Sequence, residues 1–220
     1  MALSRSFLST RAFRGNSKMR YVPAAVIAQT WTNPIASDND GFSASHAGAS
    51  AAGTRNMTLG GALCTAGVGI NGHPRNVVIV VTHASAVVAM SGTITGTDIH
   101  DQGLTEAWAV TAGTTSKTFT GKKAFKTVTS ITETIAATAA ANTIIAGSGN
   151  VLGFATKCTV ASALKEIEAG SVVTTGTLVV ASTVSTADKR GTYAPNTVPD
   201  GANDYTVYFL SDDPENDLAH

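Results

Sequence analysis

The sequence predicts an all-β protein: an antiparallel β-sandwich, Ig-like or jelly-roll in type, preceded by an extended N-terminal arm. Three observations carry this. Short runs rich in Val, Ile, Thr and aromatics recur between Gly- and Asn-containing turns. Several runs alternate apolar and hydroxyl-bearing residues with the period of a half-buried strand. No recurring amphipathic helix of ~10–15 residues separates them, which argues against a parallel α/β sheet.

Residues 1–20 read as a basic arm with scattered Phe7, Leu8 and Phe13. Residues 21–35 turn apolar, through Tyr21, Val22, Val26, Ile27, Trp31 and Ile35, and fit a strand or a short helix. Residues 36–56 are mostly Ser, Ala, Gly, Asn and Asp with little to bury, the texture of a linker or a long, partner-supported loop. The expected division is therefore an arm and linker over 1–56, a sandwich over 57–211 and an acidic tail over 212–220.

Within 57–211, Asn76 to Thr82 (NVVIVVT) is a short β-branched run suited to a buried strand. Val88, Met90, Gly92, Ile94 and Gly96 share one parity, and Leu104, Glu106, Trp108 and Val110 share another. His100-Asp101-Gln102-Gly103 between them has turn chemistry, so the two runs form a hairpin. Lys117 to Ile135 supplies further strands through Phe125, Val128, Ile131 and Ile135, and Ala136 to Ala141 leaves a short helix possible. Gly147-Ser148-Gly149-Asn150 and Thr174-Thr175-Gly176-Thr177 each carry a hairpin-turn signal between apolar runs. Tyr205, Val207 and Phe209 alternate along a final strand.

Charged residues make up 14% of the chain, well under the ~25% of ordinary soluble domains. Such a hydroxyl-rich surface suits packing against other protein. The net charge is zero but polarised. Arg5, Arg11, Arg14, Lys18 and Arg20 form a basic head, and Asp200, Asp204, Asp212, Asp213, Glu215 and Asp217 an acidic end. The head superficially fits a transit peptide, which the remainder of the chain does not support. No apolar run is long enough for a membrane helix. Cys64 and Cys158 are too few for a disulfide framework and read as free thiols.

No motif rises to a credible active site. The five histidines, His46, His73, His83, His100 and His220, have no metal-ligand spacing, and His73 and His100 read as turn residues. Gly67 to Gly72 matches Gly-x-Gly-x-x-Gly, but His73-Pro74 stands where a helix should begin, so its glycines read as supplying positive φ in a loop. Ser148 sits between glycines in the context of a turn, not a nucleophile elbow. Asp38, Asp40 and Gly41 are a fragment of a calcium loop without its terminal Glu. Glu166 and Glu168 share a strand face, read as solvated beside Leu164 and Lys165. No catalytic, metal-ligating or cofactor-binding residue is expected. The candidate partner-binding residues are in the arm: Arg5, Phe7, Arg11, Phe13, Arg14, Lys18 and Arg20. Five cations among apolar side chains fit an acidic protein surface better than nucleic acid, because the whole chain is neutral.

Ser91 to Asp98 (SGTITGTD) followed by Leu104 to Val110 (LTEAWAV), Lys117 to Ile131 (KTFTGKKAFKTVTSI) and Asp188 to Leu210 (DKRGTYAPNTVPDGANDYTVYFL) resemble small virion structural proteins of tailed bacteriophages. The resemblance covers roughly residues 75–211. It implies a non-enzymatic capsid decoration or cement protein. Such a protein would bind the major capsid protein and be assembled in the host cytoplasm onto the capsid surface as a homo-oligomer, with a trimer favoured by analogy. A tail or head–tail connector component is the alternative, followed by a carbohydrate-binding sandwich of a fibre or adhesin.

Overall fold

The computed structural model describes residues 25–136 and 141–211. Among them the chain is all-β, with antiparallel strands in two sheets and no helix. The strands are β1 (Ala25–Trp31), β2 (Asp38–Ala47), β3 (Gly53–Asn56), β4 (Cys64–Thr65), β5 (Val68–Thr82), β6 (Met90–Thr97), β7 (Gly103–Val110), β8 (Ser116–Thr120), β9 (Phe125–Ile135), β10 (Thr143–Gly153), β11 (Ala163–Glu168), β12 (Ser171–Val173), β13 (Thr177–Val180), β14 (Gly191–Ala194) and β15 (Tyr205–Ser211). One sheet has four strands in the order β1-β15-β11-β12. The other has eleven and curls on itself: its main path is β13-β14-β10-β5-β9-β6-β7, with β2 on β10, β3 on β9, and β4 and β8 on β5.

Two apolar clusters fill the interior. The larger joins Val77, Ile79 and Val81 of β5 to Ile94, Trp108, Val128, Ile131 and Ile144, with Phe42 of β2 inserted. The smaller lies between the four-stranded sheet and the β10–β14 end of the large one. It comprises Trp31, Leu152, Phe154, Cys158, Tyr193, Tyr205, Val207 and Phe209. Trp31 stacks parallel to Tyr193 at 6.1 Å between centroids, and Phe154 sits 4.5 Å from Phe209. Both arrangements fall in the favourable range for aromatic pairs.

The expected hairpin over Met90–Val110 forms with unbroken register from Met90↔Val110 to Thr97↔Gly103. Its turn is held by Asp98, whose Oδ1 accepts the N–H groups of His100 and Gln102. The final strand also follows its alternation, with Tyr205, Val207 and Phe209 buried.

Three segments differ from the sequence reading. The stretch 36–56, read as linker, carries β2 and β3, and β1 lies in the four-stranded sheet, so the sheets extend well before residue 57. Composition hides β2 because it buries little besides Phe42 and Ser43. Its hold is the ladder to β10, from Thr143↔Ala47 to Ser148↔Asp38. Gly147-Ser148-Gly149-Asn150 is not a turn but lies inside β10. A Cβ on Gly147 would fall 1.8 Å from the Asp38 carbonyl oxygen, and one on Gly149 2.4 Å from Asn76 Oδ1. These glycines let neighbours approach a strand. The register with β5 shifts between Ser148 and Leu152, and Asn76 fills the gap, accepting from Val151 N and donating to Gly121 O. Finally, β12 and β13 do not form a hairpin. They pair with β11 and β14 in different sheets, so 174–176 crosses between sheets.

The β1–β2 connection is latched onto β5. His73 Nε2 donates to Thr32 O at 2.8 Å, and the fully buried Arg75 donates to the carbonyls of Ile35 and Ala36. His73 is therefore a strand residue, not the turn residue expected. Burial pushes the Arg75 guanidinium down to about 10, and its Nε and Nη2 have no partner among the described residues.

Candidate functional site

The candidate arm residues Arg5, Phe7, Arg11, Phe13, Arg14, Lys18 and Arg20 lie outside the described residues. Within the described residues, ionisable groups gather at three interior positions, and apolar side chains gather on one outer face.

Glu166 departs most from its sequence reading. It is fully buried, not solvated, and reaches from β11 across the small core to the other sheet. Its Oε2 accepts from the Tyr193 hydroxyl at 2.7 Å and from Gly176 N at 2.8 Å, with Asn196 N at 3.4 Å. Burial, followed by the Glu166 carboxylate beside it, pushes the Tyr193 phenol well above its ordinary range. Glu168 is half-buried. Its charge adds to burial in pushing Tyr205 up to about 12.

Glu133 occupies the core parity of β9 and is also fully buried. Its partners are Arg55 Nε at 2.7 Å, His46 Nε2 at 3.3 Å and Ala49 N at 3.1 Å. Burial and the Arg55 charge hold the His46 pKa below its ordinary value. The group ties β2 and β3 to β9.

The third cluster surrounds an open cleft of about 220 Å³ lined by Asp98, Gln102, Gly103, Leu104, Asp188, Lys189 and Arg190. Arg190 Nη1 meets Asp98 Oδ2 at 2.5 Å, both side chains being largely buried. Burial alone would raise Asp98, but the Arg190 bond and charge, with N–H donation from Gln102 and His100, bring it below the usual range. Asp188 accepts Ala124 N through Oδ2, and Arg190 N and Gly191 N through Oδ1. Glu106, on the inward parity of β7, accepts Lys122 N at 2.6 Å, and Lys123 Nζ donates to Thr105 O at 2.7 Å. Burial raises both Glu106 and Asp188. The carboxylates are thus spent on backbone N–H groups, and the lining holds no hydroxyl or thiol nucleophile.

A pH dependence follows. A carboxyl with a raised folded pKa contributes stability that is fully present below its unfolded pKa, ~4.3 for Glu, and is lost as pH rises through the folded value. The stability of wild type relative to a Glu106→Gln variant is therefore expected to fall as pH rises above the unfolded glutamate value of ~4.3. Urea denaturation of both proteins below and above that value measures it, and a pH-independent difference would contradict the assignment.

The remaining sequence features have local roles. Asp38 and Asp40 open β2. A hydrogen bond with the Asp40 side chain, followed by burial, raises Asp38. Among the described residues no group of three His, Cys, Asp or Glu side chains could hold a metal. Gly67 and Gly72 adopt positive φ, at 77° and 70°, but the expected loop is instead strand β5 from Val68 onward, in which Gly72 lies and Gly69 packs under the Phe42 ring. His100 lies in the β6–β7 turn with its Nε2 at 3.0 Å from Ala155 O. His83 Nδ1 accepts Ser85 N and Ala86 N. Cys64 and Cys158 are free thiols, both raised by burial, Cys158 to about 11.

Among the described residues the exposed large apolar side chains are Val26, Ile70, Leu164, Val172, Val179, Val184 and Val198. All but Ile70 belong to the half of the molecule around the small core. Three cluster on the four-stranded sheet. Its register places Val26 beside Leu210, Ala28 and Lys165 beside Tyr208, and Ile167 between Thr206 and Val172. These residues form the outer face, since their neighbours in sequence Tyr205, Val207 and Phe209 point inward. Leu164 lies at a bulge beside them. Val172 is 65% exposed and Val26 59%. Among the described residues Lys165 is the one cation on this face, its ammonium 5.8 Å from the Tyr208 ring centre. Four strands ~4.8 Å apart, of seven, seven, six and three residues at ~3.3 Å each, make an outer face of roughly 360 Å². That is the size of the largest patch on a typical monomer, and such patches are often functional. Sequence parity shows that Tyr208 and Leu210 oppose Val207 and Phe209. It does not show which apolar face is covered.

No family model matches the chain, and neither the curated proteins nor the solved structures contain a match.

Proposed function

We propose that the chain is a non-enzymatic structural protein of a tailed-phage virion, a decoration or cement protein that binds the shell of major capsid protein. The observation that carries this reading is the outer face of the four-stranded sheet, where three of the exposed large apolar side chains, Val26, Leu164 and Val172, gather around Tyr208 and Leu210. An antiparallel sheet can face water on one side, but that side is then normally polar. An apolar one marks a protein contact. The strand texture that resembles virion proteins spans both cores and includes β15 and the loop before it. The interior carboxylates support the same reading, since they are used to fasten strands together.

On this reading the face docks on the shell, with the basic arm adding a second attachment. Leu164→Asp with Val172→Asp changes two exposed side chains and leaves the fold's melting temperature nearly unchanged. Burying two carboxylates at an apolar contact is expected to weaken binding to decoration-free heads by at least about tenfold. Co-sedimentation with purified heads measures this. Unchanged binding by the double variant, or no binding by the wild type, would remove the face from the shell contact.

A further inference from the structure

The free edges of the two sheets are not alike. Natural sheets protect their edges with short strands, charges, bulges or covering groups, because an open edge templates pairing with another chain. Here β3, β4, β8, β12 and β13 are at most five residues long. β2 begins with Asp38 and Asp40 and shifts register twice along β10. β7 is covered where Lys123 donates to Thr105 O. Among the described residues β1 has none of these devices. Its sequence, AVIAQTW, has no charge and no proline, and it pairs with β15 in seven consecutive register steps without a bulge. It is the outermost strand of its sheet. Gln29 Nε2 reaches its own neighbour's carbonyl, Thr30 O, at 3.2 Å in an exposed position. Ala169 N donates to Asp204 O, so by strand alternation Thr206 and Tyr208 turn their backbone groups to β11, and Tyr205, Val207 and Phe209 turn theirs to Trp31, Gln29 and Ile27 of β1; Val26, Ala28 and Thr30 therefore direct their backbone groups away from β15.

We propose that the β1 edge pairs with the β1 edge of a second copy of this chain, giving a two-fold dimer with a continuous eight-stranded sheet. The occupant follows from the geometry of the edge. An antiparallel edge is self-complementary under a two-fold axis. Such an axis stands perpendicular to the sheet, because it must reverse the strand direction and carry the strand to its other side. It therefore keeps each face on its own side and pairs residues of equal parity. Full overlap of the seven residues then sets one register: Val26 opposite the partner's Thr30, and Ala28 opposite the partner's Ala28. The backbone groups of Val26, Ala28 and Thr30 gain ladder partners, and Gln29 releases the Thr30 carbonyl. The smallest side chain of the outer face falls on the axis, where two copies of one residue must meet. The two apolar faces become one, about twice as wide. This contact is independent of the virion reading, and it makes the basic assembly a dimer where the resemblance implies a trimer.

Sedimentation velocity on the full chain tests it, with two exposed substitutions on the axis. The wild type is expected to sediment as a dimer at micromolar concentration. Ala28→Lys and Ala28→Glu each place like charges directly opposite one another and should weaken self-association by at least about tenfold. An equimolar mixture of the two variants should recover the dimer, a result that no change in folding would produce. Ala28→Cys should oxidise to a covalent dimer, since directly opposed strand residues lie within disulfide reach. A monomeric wild type, an oligomer indifferent to both charges, or variants that fail to recombine would each overturn the proposal. A monomeric wild type that still binds heads would leave the virion reading standing.

Discussion

Replacing Trp31 with alanine is expected to cost about 4 kcal/mol, the range measured when large aromatics are removed from packed cores. Trp31 is almost fully buried, stacks on Tyr193, touches Phe154 at 5.6 Å between centroids, and donates Nε1–H to Gly153 O at 3.1 Å. Its loss would open a cavity between the two sheets and leave the Gly153 carbonyl without that donor. For a chain of this size each kcal/mol is worth ~2–4 °C, so the melting temperature should fall by roughly 8–16 °C. Thermal denaturation followed by circular dichroism measures it. A drop under about 2 °C would mean that β1 is only loosely held to the small core.

The second large effect is expected at Glu166. Glu166→Ala removes the acceptor shared by the Tyr193 hydroxyl and Gly176 N and leaves one buried and one half-buried donor without it. Stranding buried donors costs about 1–3 kcal/mol each, partly relieved here because Gly176 N also donates to the Tyr193 oxygen at 2.7 Å. A net loss of about 3 kcal/mol is expected. Glu166→Gln, which keeps an acceptor, should lose less. The Tyr193 phenol should also titrate lower in Glu166→Ala than in the wild type, since the carboxylate is one cause of its raised value. Equal losses in the Ala and Gln variants, with an unchanged tyrosine titration, would show that Glu166 acts by packing alone.

The parts of the fold legible in the sequence are those where one strand face is buried and the other wet. β7 reads as alternation because Leu104, Trp108 and Val110 enter the core while Thr105, Ala107 and Ala109 do not. β15 reads the same way. β2 does not, because a strand held mainly by backbone ladders leaves little trace in side-chain composition. Glycine was ambiguous for a related reason: Gly147 and Gly149 serve close approach, and the letters are those a turn would use. Glu166 was hidden by its neighbours, since Leu164 and Lys165 at a bulge face solvent while the carboxylate turns inward. Glu106 and Glu133 carried a usable signal, each being an acid on the parity of core residues. Their partners come from distant segments that only the fold brings together. The arm, on which the sequence places the candidate contact residues, is untouched by any of this geometry.

The pairing of β1 with β15 sets the order in which this protein can be made. Ala25 meets Ser211 and Trp31 meets Tyr205, so one of the earliest strands to be synthesised waits for one of the last. The larger core is different, since its strands all lie before residue 154 and can close while translation continues. Until β15 emerges, Val26, Ile27 and Trp31 have no sheet to join. Contacts this distant in sequence form slowly, and they leave strand edges open to other nascent chains meanwhile. A polysome crowded with identical chains would hold β1 edges side by side for the whole of that delay.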